Sequence, residues 1–420
     1  MRIVFYNPQA SVVIGTTLYN WLLGIFSYNK YLYLIKNKPI YQDNLIFFID
    51  SNGTSLLPKW LGKIVHPKME LYFWLFINHI SPFKVTILTS PKDISKNDIL
   101  IGFSVNLLDN SKSDLSTLSK IKCIKLFHLT HFIQNTTLIS ENAKRIKVNY
   151  FFAENNLFKN SPYFRKYFNW YKKDVYTLPF AFRDQFKETA PFSSRKNKAM
   201  AIGTVVDVGT TESSNKFKHF TSFFKTTIIQ PMRYSIYSER QKNKLYIDSY
   251  ISELYENKQK TESKTQIERL SNAIFNATKA TKRTYFSFSM TDIFNKYKMF
   301  VNGEEISNLP GIGFVEGMAC GCAYIAQNDP MYTDIGLIPD KHYISYDGTM
   351  TGLINKIIQF QNNPMKLREI SESGRYFIRH HFSKVFIANH FFEDLYHFSN
   401  SNVKPNTNQI LKCSFTQHEV

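Results

Sequence analysis

Residues 302–326 read Asn302-Gly-Glu-Glu-Ile-Ser-Asn-Leu-Pro-Gly-Ile-Gly-Phe-Val-Glu-Gly-Met-Ala-Cys-Gly-Cys-Ala-Tyr-Ile-Ala326. The pattern is a strand ending near Val301, a loop rich in Gly and Pro, a short helix from about Phe314 to Cys320, and a second strand at Ala323–Ala326. Gly311 and Gly313, on either side of Ile312, let the backbone approach a ligand closely. The helix beginning at Phe314 points its free N–H groups at that loop, which suits a diphosphate. Glu316 falls one turn into the helix, where a carboxylate can accept hydrogen bonds from a ribose diol. A glycine-rich turn with a solvated or capping Glu316 explains the same pattern equally well.

Outward from this segment, short apolar runs alternate with amphipathic stretches, the mark of an α/β protein with doubly wound, mostly parallel sheets. Strands are expected at Ile3–Tyr6, Leu45–Ile49, Val85–Leu88, Ile99–Phe103, Ile124–His128, Tyr150–Phe152 and Val175–Leu178, with helical pattern at 16–34, 68–80 and 155–171. A polar, Pro-bearing stretch at 187–198 suits a linker. A second series opens with Ala199–Val206 and continues at Met299–Val301, Ala323–Ala326 and Tyr343–Tyr346. Residues 235–283 read as solvated helix, 351–398 as two helices, and 399–420 as a frayed tail.

The chain has 420 residues, 43% of them hydrophobic, with 37 Phe and 25 Tyr, enough for large cores and against intrinsic disorder. Its net charge of +19 calls for an anionic partner. Residues 1–190 hold 24 basic and 12 acidic residues, a net +12, so the charged docking surface is expected in the first half. No helix-turn-helix, zinc or single-strand-binding signature accompanies the charge, which argues against nucleic acid as the partner. Four cysteines are too scattered for a disulfide framework, and Cys320-Gly-Cys322 lacks a second pair of metal ligands. Ala10–Tyr28 is uncharged for 19 residues, just long enough to span a bilayer, but it is interrupted by Ser, Thr and Asn. Strand, loop and buried helix are the expected reading there, and no cleavable secretion signal is evident.

The block Gly313-Phe-Val-Glu316-Gly-Met-Ala-Cys-Gly-Cys-Ala323 resembles the Glu-Ala-Met-Ala-x-Gly-x-Pro-Val block of GT-B glycosyltransferases, particularly the retaining family 4 type. The resemblance continues through Asp329–Ile335, Tyr343-Ile-Ser-Tyr-Asp347, Asn363–Gly374 and His381–Tyr396, about 100 residues in all; the first half matches only in outline. It implies two Rossmann-like domains facing a cleft: an acceptor domain at 1–186, a linker at 187–198, a donor domain at 199–374, and a helix at 375–398 crossing back to the first domain. The implied reaction moves a sugar from a nucleotide-diphosphate donor to a hydroxyl of a glycan or lipid-linked glycan, with retention, in surface polysaccharide or lipopolysaccharide synthesis. It needs no cofactor, and no metal is expected because no Asp-x-Asp motif is present.

The resemblance also distributes roles. The family's Glu-x7-Glu spacing places its first glutamate at Asn308, so the role passes to Glu305, with Glu304 beside it. Gly311, Ile312, Gly313, Phe314 and Glu316 would hold the donor. The strand 199–206 is not followed by Arg, and Lys216 and Arg240 are the chosen diphosphate cations among Lys216, Lys218, Arg233 and Arg240. On the acceptor side stand Gly15 and His128, and His131, further out along the loop after Ile124–His128, is the candidate catalytic histidine. Trp60–Lys63, Tyr72–Trp74 and Tyr163–Lys173 mix aromatics with cations, which suits an enzyme in the cytoplasm, peripheral on the inner face of an anionic membrane. A nucleotide-sugar epimerase on the same fold, or a non-enzymatic nucleic-acid binder, are the competing readings.

Overall fold

Ile3–Tyr6 (β1) and Ile99–Gly102 (β4) are buried along their whole length, as strands covered on both faces must be. They lie side by side within a seven-stranded, all-parallel sheet in a computed structural model of the chain. The structure describes residues 1–11, 13–15, 29–37, 39, 41–50, 66–103, 108, 115–209, 214–253 and 288–400. The other strands of this sheet are β2 (Leu45–Phe48), β3 (Val85–Leu88), β5 (Ile124–His128), β6 (Tyr150–Ala153) and β7 (Tyr176–Thr177), in the order β3-β2-β1-β4-β5-β6-β7. The chain winds outward from β1 in one direction, then returns to β4 and winds outward in the other, so the topological switch lies between β1 and β4.

The second sheet holds β8 (Lys196–Val205), β9 (Ile247–Glu253), β10 (Tyr297–Val301), β11 (Ala323–Gln327) and β12 (Ile344–Tyr346), in the order β12-β11-β10-β8-β9, again all parallel. Its switch lies between β8 and β10. The helices used below are α1 (Leu32–Lys36), α2 (Pro67–Ile77), α3 (Thr136–Arg145), α4 (Pro162–Tyr167), α5 (Pro231–Ser238), α6 (Met290–Lys296), α7 (Gly313–Ala319), α8 (Met350–Gln361), α9 (Pro364–His381) and α10 (Lys384–Asn400).

The chain divides into two compact units. Unit 1 comprises Met1–Pro179, Asn215–Phe220 and the chain from Lys384; unit 2 comprises Phe180–Ser214 and Thr221–Ser383. Within unit 1, α10 packs beside α1. There Phe391 meets Phe152 and Tyr176, and the Tyr176 hydroxyl donates to Asp394 at 2.7 Å. The short segment 215–220 is held by Asn135 N–H donating to the Lys216 carbonyl at 2.7 Å and by the Thr137–His219 hydrogen bond.

Three element expectations need correction. Strand β9 falls where solvated helix was expected. Ile247 and Ile251 are buried on one side, while Asp248 meets Lys198 and the Tyr297 hydroxyl, and the polar residues around this short strand masked it. The helix expected at 155–171 is two short ones, because Ser161-Pro162 caps and restarts it. The pair expected at 351–398 is three helices, split at Asn363-Pro364 and again at Phe382-Ser383. Most of Ala10–Tyr28, all of Trp60–Lys63, residues 254–283 of the expected solvated helix and 401–420 of the tail lie outside the described residues. Among the described residues, no helix is long and apolar enough to cross a membrane.

Candidate functional site

In unit 2 the carboxyl ends of β8 and β10 meet at the switch point, where parallel α/β sheets place their ligands. Proline at the first turn of α5 starts that helix directly after Gln230, which brings Arg233 over both strand ends. Its guanidinium donates to the carbonyls of Thr204 (2.8 Å), Asn302 (2.9 Å) and Gly303 (2.9 Å), tying the two strand ends together. Gly203 lies beneath it at φ 124°, and a Cβ there would fall 2.7 Å from the guanidinium. Strain and collision add, so Gly203→Ala is expected to cost unit 2 about 2 kcal/mol or more, read as a lower urea midpoint at unchanged slope.

Asn302 follows β10 directly, and its side chain packs against both loop glycines. A Cβ on Gly311 would sit 2.2 Å from Asn302 Nδ2, and one on Gly313 3.1 Å from Oδ1. Residue 302 is 6% exposed, and its Nδ2 has no hydrogen-bond partner among the described residues. A buried amide donor left unmatched costs about 1–3 kcal/mol, and an acceptor brought to it would relieve that cost.

Glu316, one turn into α7, is buried and accepts a hydrogen bond from Arg183 Nε at 2.8 Å. Burial pushes its pKa up, and the Arg183 charge and hydrogen bond pull it back only to about 7. Arg183 had no sequence signal beyond its place after the last strand of the first series. Of the two adjacent glutamates, Glu304 is the buried one; it accepts from the hydroxyls of Tyr332 (2.9 Å) and Tyr324 (3.3 Å), and burial raises its pKa. Glu305 is half-buried and receives the Ser307 hydroxyl at 3.2 Å. Phe314 is 1% exposed among Tyr324, Tyr332 and Phe382, so it is a core residue rather than part of the loop's open face.

Of the two chosen cations, Arg240 does not reach this place. Lys216 belongs to unit 1, and Arg240 lies past the far end of α5, bonded to the Tyr237 carbonyl and stacked over the Tyr237 ring. With 3.6 residues per turn, Arg240 sits about 10 Å along the helix from Arg233. Proximity to the strand in sequence did not translate into proximity to its carboxyl end.

In unit 1, β5 ends at His128, which is fully buried. Its Nδ1 meets the Thr130 hydroxyl, and its Nε2 lies 3.5 Å from a Glu154 carboxylate oxygen at the end of β6. Tyr31 and Phe152 pack against the ring. Burial works against the Glu154 charge, but His128 and Lys30 outweigh it and hold the carboxyl at about 2. An acid closing an otherwise apolar strand, Tyr150-Phe-Phe-Ala-Glu154, was the available and unused signal. His131, in a left-handed turn at φ 55°, is exposed. Gly15 backs onto Trp74, with no room for a side chain between them.

No protein-family model matches the chain, and no curated protein matches it by sequence. Solved structures do match over nearly the whole length. Anabaena HepE, in complex with UDP and glucose, superposes with TM-score 0.52 at 11% identity, over 94% of this chain and all of that one. A glycosyltransferase from Rickettsia africae gives 0.51 at 12%, over 96% and 99%. Sucrose-phosphate synthase from Thermosynechococcus elongatus gives 0.50 at 10%, over 95% and 99%. The fold is GT-B. In GT-B terms, unit 2 with its glycine loop and Glu316 corresponds in sequence order to the second of the two parallel-sheet domains. At such identities the agreement is one of fold, so residue roles rest on the geometry above.

Proposed function

We propose that this chain is a glycosyltransferase that binds a nucleotide-diphosphate sugar at the β8/β10 switch point of unit 2 and passes the sugar to a hydroxyl of a glycan or lipid-linked glycan, with retention. The observation that carries the reading is the unmatched Asn302 amide, buried against Gly311 and Gly313 at the carboxyl end of β10. The HepE structures with UDP and with UDP-glucose support a nucleotide-sugar as its ligand.

In this reading the Asn302 amide and the backbone N–H groups of 311–313 receive the diphosphate, and Glu316, oriented by Arg183, accepts from the ribose. Arg233 holds the two strand ends in place. The bond from the anomeric carbon to the diphosphate breaks as charge gathers on the departing diphosphate oxygen, the acceptor oxygen bonds to that carbon, and its proton passes to the departing diphosphate. Donors already aimed at that oxygen stabilise it without reorganisation. His131, exposed after β5, remains our candidate catalytic histidine, and surface polysaccharide synthesis is the proposed setting.

The test is a panel of UDP, GDP, ADP and CMP with their sugars, read by melting temperature and by nucleotide release. One nucleotide is expected to raise the melting temperature by several degrees, and Asn302→Ala is expected to lose most of that shift. Release of an isomerised free sugar without acceptor would assign the epimerase reaction instead. Absence of any shift across the panel would remove the donor site altogether.

A further inference from the structure

We propose that the outer face of α2, with the turn that follows it, docks the protein on an anionic lipid membrane. The helix is apolar nearly all round. Its inner side buries Leu71, Trp74 and Leu75, together with Glu70. Its outer side presents Met69 (52% exposed), Tyr72 (52%), Phe73 (44%) and Phe76 (71%), at spacings of three, four and seven residues that share one face of about 100°. The turn Pro82–Lys84 adds Phe83, which is 95% exposed. Single exposed aromatics are ordinary, but a full helical stripe of them with a further Phe close behind marks an interaction surface.

Charge selects the partner. The described stretch 66–93 carries Lys68, Lys84 and Lys92 against Glu70, which is on the buried side, and Asp93, whose carboxylate accepts from the Ser90 N–H. Lys68 and Lys84 are exposed at the start of the helix and in the following turn. Aromatic rings flanked by lysines, with no exposed acid on the helix or on the turn Pro82–Lys84, match the headgroup layer of an anionic bilayer, where rings insert and Lys meets lipid charge. A second copy of this chain is a poor occupant, because each copy carries +19 and brings the same lysines. The aromatics of 163–173 do not compete for this role. Tyr163, Phe164, Phe168 and Tyr171 are core residues, and Lys173 lies over the Tyr150 ring. The expectation for that segment is therefore moved to α2.

The proposal does not depend on sugar transfer, since binding is read without nucleotide. The full chain is sedimented with vesicles of phosphatidylglycerol and phosphatidylcholine, and with phosphatidylcholine alone. Binding is expected only to the anionic vesicles, to weaken with salt, and to fall about tenfold or more in Phe76→Ser/Phe83→Ser. Lys68→Glu/Lys84→Glu is expected to weaken it as well, while Lys172→Ala/Lys173→Ala leaves it unchanged. All the replaced residues of the first two variants are exposed, so their fold is retained. No binding to anionic vesicles, or equal binding by wild type and both α2 variants, overturns the proposal. So does a dimer of the wild type that Phe76→Ser/Phe83→Ser dissolves, which would give this face to a second copy.

Discussion

Replacing Arg195 with methionine will destabilise unit 2 by about 3–5 kcal/mol, the range seen when one partner of a buried charged network is removed. The side chain is wholly buried. It donates to the carbonyls of Ala190, Cys320 and Gly321, to the Asn295 amide oxygen, and to Glu188, which also meets Arg375. Methionine fills much of the volume but takes the side-chain donor from the Ala190 and Cys320 carbonyls, whereas Asn295 keeps the Thr189 N–H, Gly321 the Ser371 hydroxyl, and Glu188 the Arg375 guanidinium. Lysine keeps the charge with a single, compact ammonium, and an intermediate loss is expected. The effect reaches the candidate site, because Cys320 and Gly321 close the carboxyl end of α7 while the glycine loop opens its start. Nucleotide-induced stabilisation should therefore shrink together with the urea midpoint. A cost below about 1 kcal/mol for Arg195→Met would show that these bonds are replaceable by water and refute the account.

The second large effect is a contribution to the pH dependence of stability that Glu316→Gln removes. The native carboxyl titrates at about 7, against an ordinary value of 4.5. Between these two values the folded protein holds the proton and the unfolded chain has released it. The contribution is therefore complete below about pH 4.5 and is lost as pH rises through 7. It amounts to about 3 kcal/mol. Across this window the wild type should lose stability relative to Glu316→Gln by about 3 kcal/mol, and the glutamine variant should be the more stable of the two at pH 8. Nucleotide affinity should run the other way. A ribose diol needs the carboxylate as acceptor, so wild-type affinity falls as pH drops below 7, and Glu316→Gln binds about tenfold more weakly at pH 8. A stability difference between wild type and Glu316→Gln that stays constant between pH 5 and 8 would refute the buried, proton-holding carboxyl.

The strands and the glycine loop were legible because their signals are local. Ile3–Tyr6, Val85–Leu88 and Ile124–His128 stand as read, each an apolar run ended by turn or polar residues. The helix expected from Phe314 begins one residue earlier, at Gly313. Strand β9 was lost because its buried side is only two isoleucines within a polar neighbourhood. The site was legible in part: Gly311, Gly313 and Glu316 were named from pattern, and Asn302 beside them was not.

What the residues alone determined is the alternation of strands and helices, the glycines that need space or unusual φ, and a net charge of +19 that favours an anionic partner. Only tertiary structure decided which polar side chains are buried and what they hold. Arg195, in a stretch whose composition reads as a linker, is an internal clamp. Arg233 reaches the strand ends and Arg240 does not. Tyr163 and Phe168 are core, whereas Phe76 and Phe83 face outward. Residue type sets what a side chain can do, but burial is set by partners distant in sequence, and a guanidinium or a phenyl ring carries no mark of the side on which it will lie.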